Sequence, residues 1–266
     1  MTDSSGLARR HLAAAAIARQ AGDLMRRLFL DRDAIQLSFK GPQDYLTQAD
    51  AAVERLVRGR LEEAFPEDQF YGEETGGAFG QSVWVVDPID GTANFARAIP
   101  HFCVSIAYAQ AHVPMIGVIY NPITEEFFEA RRGHGAHLNG RRMKCSDVSD
   151  LKRAQVELGW SPRRPAAAYV AMMKRVLDAG ASFRRGGSGA LGVAYVADGR
   201  SDAYAELHIN SWDCLAGLVM IEETGGFAND FLAGDGMAKG NPLLVAAPGI
   251  AEAFVAATGI DAKVNA

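Results

Sequence analysis

Cysteine is scarce in this chain of 266 residues: Cys103, Cys145 and Cys214 stand far apart and form no C-x-x-C pair. That spacing argues against a thiolate zinc site and fits a reducing compartment. Long apolar runs are missing as well, since no stretch approaches the roughly 18 residues that a membrane-spanning helix needs. LAAAAIA at 12–18 is short, alanine-rich and followed by Arg19, Asp23, Arg26 and Arg27. It reads as part of an amphipathic helix rather than a signal core, and the expected location is cytoplasmic. Positive charge is not in excess. A net charge of −5 and the absence of a long basic run give no general attraction for nucleic acid or anionic membrane. An anionic substrate would therefore need a locally positive site, which a metal can supply. Internal repeats and low-complexity linkers are also absent.

What is present is ordinary globular material. With 48% hydrophobic and 22% charged residues, disordered and fibrous classes are set aside. The length suits one domain or two closely packed ones. Residues 7–30 predict a helix, and TQADAAVERLVRGRLEEAF from Thr47 predicts another, with Thr47 as N-cap, Asp50 at N3 and Pro66 after its end. The period then changes. Segments 69–74, 82–87, 102–110, 115–120 and 125–132 read as strands, largely antiparallel, and Asn139-Gly140 is a hairpin signal. After 150, strands 155–160, 182–185 and 202–207 alternate with helical patterns over 166–180 and 186–199 and one opened by Trp212-Asp213. The expectation is an α+β lobe over 1–150 and an α/β lobe over 151–266, with a soft boundary inside one unit.

The stretch WVVDPIDGTANF at 84–95 poses the chemical question. A strand ends in Asp87, Pro88 holds it extended, and Asp90 follows after a tight turn. Gly91 lets backbone approach a ligand, and Thr92 is a good N-cap for a short helix whose N–H groups form an anion site. Two carboxylates this close either lie in an exposed turn or have a cation between them. GEET at 72–75 brings Glu73 and Glu74 to the end of another strand, which is equally an acidic turn. Asp213 at a helix start is equally a dipole partner, and Asp44 and Thr47 could merely cap the second helix. Taken jointly, D-x-x-T, G-E-E, D-P-I-D-G-T and W-D supply hard oxygen donors at strand ends, turns and helix starts. Without a Cys or His cluster nearby, such a set suits Mg²⁺.

These motifs, together with GGSGALGVAYVADG and NSWDCLAG, resemble the inositol monophosphatase family of lithium-sensitive, Mg²⁺-dependent phosphatases over essentially the whole chain. The resemblance implies a five-layered αβαβα sandwich of mixed α/β class, usually a homodimer. It implies Glu73, Asp87 and the Ile89 carbonyl as ligands of one metal, and Asp87, Asp90 and Asp213 as ligands of another, with two or three Mg²⁺ per subunit. Gly91 and Thr92 match the phosphate-holding positions. Asp44 matches the aspartate paired with that threonine to orient or deprotonate the attacking water, and Glu73 shares the catalytic group. Glu74 has no family role. Asp90→Asn is expected to remove most activity with little loss of fold.

The family implies hydrolysis of a phosphate monoester, first of all a myo-inositol monophosphate. Gly187, Ser188, Gly189 and Glu206, together with Asp90, resemble the polyol-binding pattern, in which the glutamate accepts sugar hydroxyls. Histidinol phosphate, fructose 1,6-bisphosphate and 3′-phosphoadenosine compounds are the alternatives within the family. Arg184 and Arg185 could approach a second phosphate or cover a dimer interface. Some bacterial relatives regulate RNA metabolism, so a regulatory binding protein on the same fold is the alternative of a different class. No direct contact with nucleic acid or membrane is expected. His101, Trp84 and Trp212 read as packing residues, and RRGHGAHLNGRRMK at 131–144 as a solvated basic hairpin.

Overall fold

The buried residues of α1 (Ser4–Leu30) recur at helical spacing: Ala14, Ile17, Ala18, Ala21, Met25 and Phe29 form one stripe. The computed structural model describes residues 4–31, 37–41 and 44–262, with side chains over 5–31 and 48–262. A short antiparallel hairpin, β1 (Leu37–Gly41) and β2 (Asp44–Thr47), precedes α2 (Gln48–Ala64). Thr47, the expected cap of α2, lies outside the residues whose side chains are described.

The first sheet is built from β3 (Gln69–Gly72), β4 (Gly76–Gly77), β5 (Ser82–Asp90), β6 (Cys103–Gln110), β7 (Val113–Asn121), β8 (Glu126–Arg131), β9 (Ala136–Leu138) and β10 (Arg141–Arg142). A five-residue helix, α3 (Thr92–Ala96), interrupts it after β5. The strand order is β10-β9-β8-β7-β6-β5-β3-β4. Only β3 and β5 run parallel. Asn139 (φ 49°) and Gly140 (φ 78°) form the two-residue turn between β9 and β10, with Leu138 opposite Arg141, as the Asn-Gly pair predicts. Three basic residues around this hairpin pair with acids: Arg132 with Glu222, Arg141 with Asp198 at 2.6 Å and Lys144 with Asp147 at 2.8 Å.

The second half gives β11 (Gln155–Leu158), α4 (Ala166–Asp178), β12 (Ser182–Arg184), α5 (Gly189–Ala197), β13 (Ala203–Ile209) and α6 (Ser211–Glu223). It closes with β14 (Phe227–Ala228), α7 (Gly236–Lys239), β15 (Asn241–Ala246) and α8 (Ala251–Thr258). The second sheet has the order β12-β11-β13-β15-β14, and β12, β11 and β13 are parallel. The last four elements extend beyond what the sequence pattern anticipated.

Alternation along the strands shows how the layers stack. Trp84 and Val86 pack with α1 and α2, whereas Val83 and Val85 pack with α5 and α6 on the opposite face. Tyr204, Leu243 and Val245 join that same central cluster from the second sheet. Ala203, Ala205, Leu244 and Ala246 point the other way, onto α4 and α8. The result is helix pair, sheet, helix pair, sheet, helix pair: the five-layered αβαβα sandwich. Because both sheets are covered on both faces, central strands such as β5, β6 and β7 are largely apolar on both sides instead of alternating with polar residues. Among the described residues, no helix is long and apolar enough to cross a membrane.

Candidate functional site

The strand that carries Asp87 does not stop there. It runs on through Pro88 to Asp90, and its register against β6 changes from Asp87 opposite Ser105 to Asp90 opposite Cys103. That change inserts one extra residue into β5, a β-bulge. Residues three apart on a regular strand point to opposite faces; one extra residue restores the same face. Pro88, with no N–H for the ladder, is tolerated at the bulge. The expected tight turn is therefore a bulge within the strand. Its effect is to aim both carboxylates at the N-terminus of α6, which supplies Asp213.

Oxygens of Asp87, Asp90 and Asp213 all lie within 4.8 Å of one another. Asp87 and Asp90 are buried. Burial, with Glu73, Asp90 and Asp213 close by, holds Asp87 well above the ordinary carboxylate range. Burial first, and then Asp90 and Glu206, push Asp213 up to about 8, against an N–H bond from Asn210. Two full charges at this separation repel by roughly 3 kcal/mol at an effective dielectric near 20. Among the described residues no ion pair reaches any of the three. The donor set is all hard oxygen, largely buried and without a cationic partner, which fits Mg²⁺ or a similar cation.

Each ligand candidate is held by its neighbours. Asp87 Oδ1 accepts the Ile89 N–H at 2.9 Å, and the Ile89 carbonyl accepts the Thr92 hydroxyl at 2.9 Å. Asp90 is bonded mainly from the second half of the chain: Ser188 Oγ donates at 2.5 Å, Ala190 N at 2.7 Å and Gly189 N at 3.2 Å. Asp90 thus sits at the N-terminus of α5, where its charge is favoured, although burial still raises its pKa. Ser188 is also the N-cap of α5, accepting Leu191 N. Asp213 is the third residue of α6, not its opener: Asn210 is the N-cap, and its N–H donates to Asp213 Oδ2 at 3.0 Å. One side chain therefore both caps α6 and stands in the acidic cluster.

Glu73 follows β3, which lies parallel to β5, so its position is set by the same sheet edge. Sequence reasoning missed what fixes that turn. The buried Glu54 of α2 accepts Glu74 N at 2.9 Å and Thr75 N at 3.0 Å. A Cβ at residue 72 would lie 2.4 Å from Glu54 Oε2, so any larger residue there displaces the Glu54 carboxylate. Glu54→Ala leaves two turn N–H groups without their acceptor. It is expected to lower stability by about 2–4 kcal/mol and Mg²⁺ affinity by about 10–100-fold. Urea unfolding and a Mg²⁺ titration of the variant check both figures.

Gly91, with φ 97°, and not Thr92, is the N-cap of α3. A left-handed conformation there is costly for any other residue. Thr92 is the first helical residue, and its hydroxyl reaches Asp50 Oδ1 at 3.1 Å as well as Ile89 O. Asp50, on α2, was not anticipated as a partner of Thr92. Asp44, the expected one, lies outside the residues whose side chains are described. Asn94 closes the other side: its Nδ2 donates to His101 O at 2.7 Å and Gly186 O at 2.9 Å, tying α3 to the loop before α5. His101 itself is packed and neutral, its pKa lowered to about 4 by burial and by Arg184.

Beside Asp87 and Ile89, which are not part of its wall, lies a cavity of about 710 Å³ lined by Glu73, Asp90, Gly91, Thr92, Gly187, Ser188, Gly189, Glu206, Trp212 and Asp213 among others. Glu206 is buried, accepts the Tyr204 hydroxyl at 2.5 Å, and is pushed up to about 7, mainly by burial. Trp212 thus lines the cavity, whereas Trp84 is a core residue that donates to Asp68 at 3.1 Å. A second cavity, of about 360 Å³, lies around the far end of α6, between Val113, Leu218 and Phe231, remote from the carboxylates.

Known proteins share this fold. A family model described as the inositol monophosphatase family matches residues 8–261. The Nus factor SuhB of Haemophilus influenzae is 38% identical over 237 residues, 87% of this chain and 88% of that protein. The crystal structure of extragenic suppressor protein suhB from Bartonella henselae superposes with a TM-score of 0.87 at 35% identity, over 92% of this chain and 96% of that one. An inositol monophosphatase from Anabaena (Nostoc) gives 0.83 at 30% identity, over 96% and 98%.

Proposed function

Because the chain belongs to the inositol monophosphatase family, we propose that it hydrolyses a polyol phosphate monoester with Mg²⁺, a myo-inositol monophosphate being the first choice. The observation that carries this reading is the bulge in β5, which gathers Asp87, Asp90 and Asp213 into one largely buried cluster without a cationic partner. Glu73, Asp87, Asp90, Asp213 and the Ile89 carbonyl would hold the metal. Bound there, Mg²⁺ lowers the pKa of a water, neutralises phosphate charge and stabilises the leaving alkoxide. Gly91 and Thr92, on the cavity wall, present backbone N–H groups to the phosphate. The Thr92 hydroxyl has one proton; while it donates to Asp50, its lone pairs can accept from the attacking water and orient it. Asp44, from β2, is the further acceptor in this reading. No residue here suggests a covalent phosphoenzyme. Two or three ions per subunit, a cytoplasmic homodimer and lithium sensitivity belong to the same reading, by family resemblance.

Glu206 supports the polyol. A buried carboxylate fixed by Tyr204 is a hydrogen-bond acceptor for hydroxyls, and a ligand without them leaves it unpaired. Phosphate release from myo-inositol 1-phosphate with Mg²⁺ and with EDTA tests the proposal, with histidinol phosphate, fructose 1,6-bisphosphate and 3′-phosphoadenosine 5′-phosphate alongside. No Mg²⁺-dependent release from any ester would overturn it. Glu206→Gln is expected to raise KM for the inositol ester by about tenfold and for an aryl phosphate far less. Equal effects on both would reject a polyol-binding role.

The relatives named Nus factors favour a second reading, in which the protein also acts as a regulatory binding partner. Its net charge of −5 points to a protein partner in preference to nucleic acid. A pull-down recovering no stoichiometric partner would count against it.

A further inference from the structure

Strand β11 carries a charge where its neighbours carry hydrocarbon. Val156 and Leu158 point onto α4 and α8, so Glu157 points the other way, into the layer of α5 and α6. It is 1% exposed, and Gly192 of α5 stands against it: a Cβ there would lie 3.4 Å from the Glu157 carboxyl carbon. A carboxylate in such a layer is costly unless it finds partners. Nothing in the chemistry proposed above uses it.

Two partners are found. Arg184 Nε lies 3.1 Å from Glu157 Oε2, and Gly186 N donates to Oε1 at 2.8 Å. The ion pair is a weak reason for the charge, because replacing a buried pair by apolar residues is often neutral. The bond to Gly186 has a consequence for the site. Gly186 is held from both sides: its N–H by Glu157 of the second sheet, its carbonyl by Asn94 Nδ2 of α3 at 2.9 Å. A Cβ at residue 186 would lie 2.5 Å from Glu157 Oε1 and 2.6 Å from His101 Nε2, so the chain passes closely between them. Gly187, with φ 81°, then turns the chain. The next three residues, Ser188, Gly189 and Ala190, are the ones that donate to Asp90. Asn94 ties this loop to the segment that bears Asp90, and Glu157 ties it to the second sheet.

On the phosphatase reading above, on which this rests, we propose that Glu157 is a positioning residue for the metal site. Through Gly186 it places the N-terminus of α5, and that helix start aims the Asp90 carboxylate at the cation. Glu157 borders the cavity but is buried, and it needs to touch neither ester nor ion. Its contribution is an oxygen within reach of Gly186 N, and not its charge.

Two conservative variants separate the oxygen from the charge. Glu157→Asp keeps the charge and withdraws the oxygen by one methylene, whereas Glu157→Gln keeps the oxygen and removes the charge. Metal binding is read directly, by calorimetry with Mg²⁺ and by electron spin resonance with Mn²⁺, beside turnover of myo-inositol 1-phosphate. Glu157→Asp is expected to bind both ions about 10–100-fold more weakly, with turnover at subsaturating Mg²⁺ falling in proportion. At saturating Mg²⁺ its KM for the ester stays within about threefold of wild type. Glu157→Gln stays within about threefold of wild type in metal affinity. Val176→Ala, which opens a cavity between α4 and α8, reads what a loss of stability alone does and should leave metal affinity unchanged. Wild-type affinity in Glu157→Asp, or a loss matched by Val176→Ala, would leave Glu157 a packing residue and overturn the proposal. An equal loss in Glu157→Asp and Glu157→Gln overturns it as well, since the charge would then be the cause. So does a raised KM at unchanged metal affinity, which would set Glu157 against the ester. Absence of turnover in wild type would defeat the phosphatase reading instead, and the metal titrations would still decide the role of Glu157.

Discussion

Asp87→Asn is expected to reduce Mg²⁺-dependent turnover on the order of 10³-fold or more, several kcal/mol of barrier, while making the metal-free protein more stable. The two effects have one cause. The largest influences on Asp87 oppose its ionisation, burial first, then Glu73, Asp90 and Asp213, against the single N–H bond from Ile89. Removing a charge from that cluster relieves about 1–3 kcal/mol of repulsion and desolvation when no cation is present. The amide oxygen can still accept the Ile89 N–H, so the bulge retains its local bond. With Mg²⁺ the order reverses, because the variant has lost an anionic ligand. Urea unfolding in EDTA and in Mg²⁺, beside a phosphate-release assay, reads all three quantities. Near-full turnover, or a loss of stability in EDTA, would remove Asp87 from a metal site.

Asp90 makes the less clean experiment, contrary to what the sequence suggested. Its carboxylate accepts Ser188, Gly189 and Ala190 at the start of α5. An asparagine there turns an amide toward groups that donate, so Asp90→Asn costs packing between the two sheets as well as activity. The expectation of little loss of fold does not survive these contacts.

The difference between the two aspartates illustrates what a sequence can show. The apolar run 83–86, the Asn-Gly turn and the helical stripes of α1 and α2 are local patterns, and they fold as local patterns predict. The motif carboxylates were legible because strand ends, glycine and proline mark where backbone must turn. The bulge was not legible, since one extra residue is defined only against the partner strand β6. Glu54 and Asn94 were missed for a related reason: their partners lie 20 and 92 residues away. Asp50 was assigned to its own helix, although its carboxylate faces Thr92, 42 residues on. Strand β15 begins at Asn241-Pro242 between glycine-rich turns, so its apolar run is short and lacks a period of its own.

The largest effect on stability should come from pH in the absence of metal. Asp213, at about 8, and Glu206, at about 7, hold protons in the native state that the unfolded chain releases near its ordinary carboxylate pKa. Their contribution is complete below that unfolded value and disappears as pH rises through the folded one, so stability falls with rising pH. His101 works in the opposite direction, because burial keeps it neutral to about 4 while the unfolded imidazole titrates near 6.5. Below roughly pH 6.5 the two trends oppose each other; above it the carboxylates act alone. In EDTA, each retained proton should therefore cost about 1.4 kcal/mol of stability per pH unit between roughly pH 6.5 and 8. Mg²⁺ should flatten the slope, since it displaces the protons from the same oxygens and leaves the native state holding no more of them than the unfolded chain. At about 100 times its Kd it adds about 2.7 kcal/mol to the native state. Urea unfolding across that window, with EDTA and with Mg²⁺, distinguishes the cases. A flat profile in EDTA would mean that the carboxylates are already ionised and compensated, and the buried cluster would then lose its claim to need a cation.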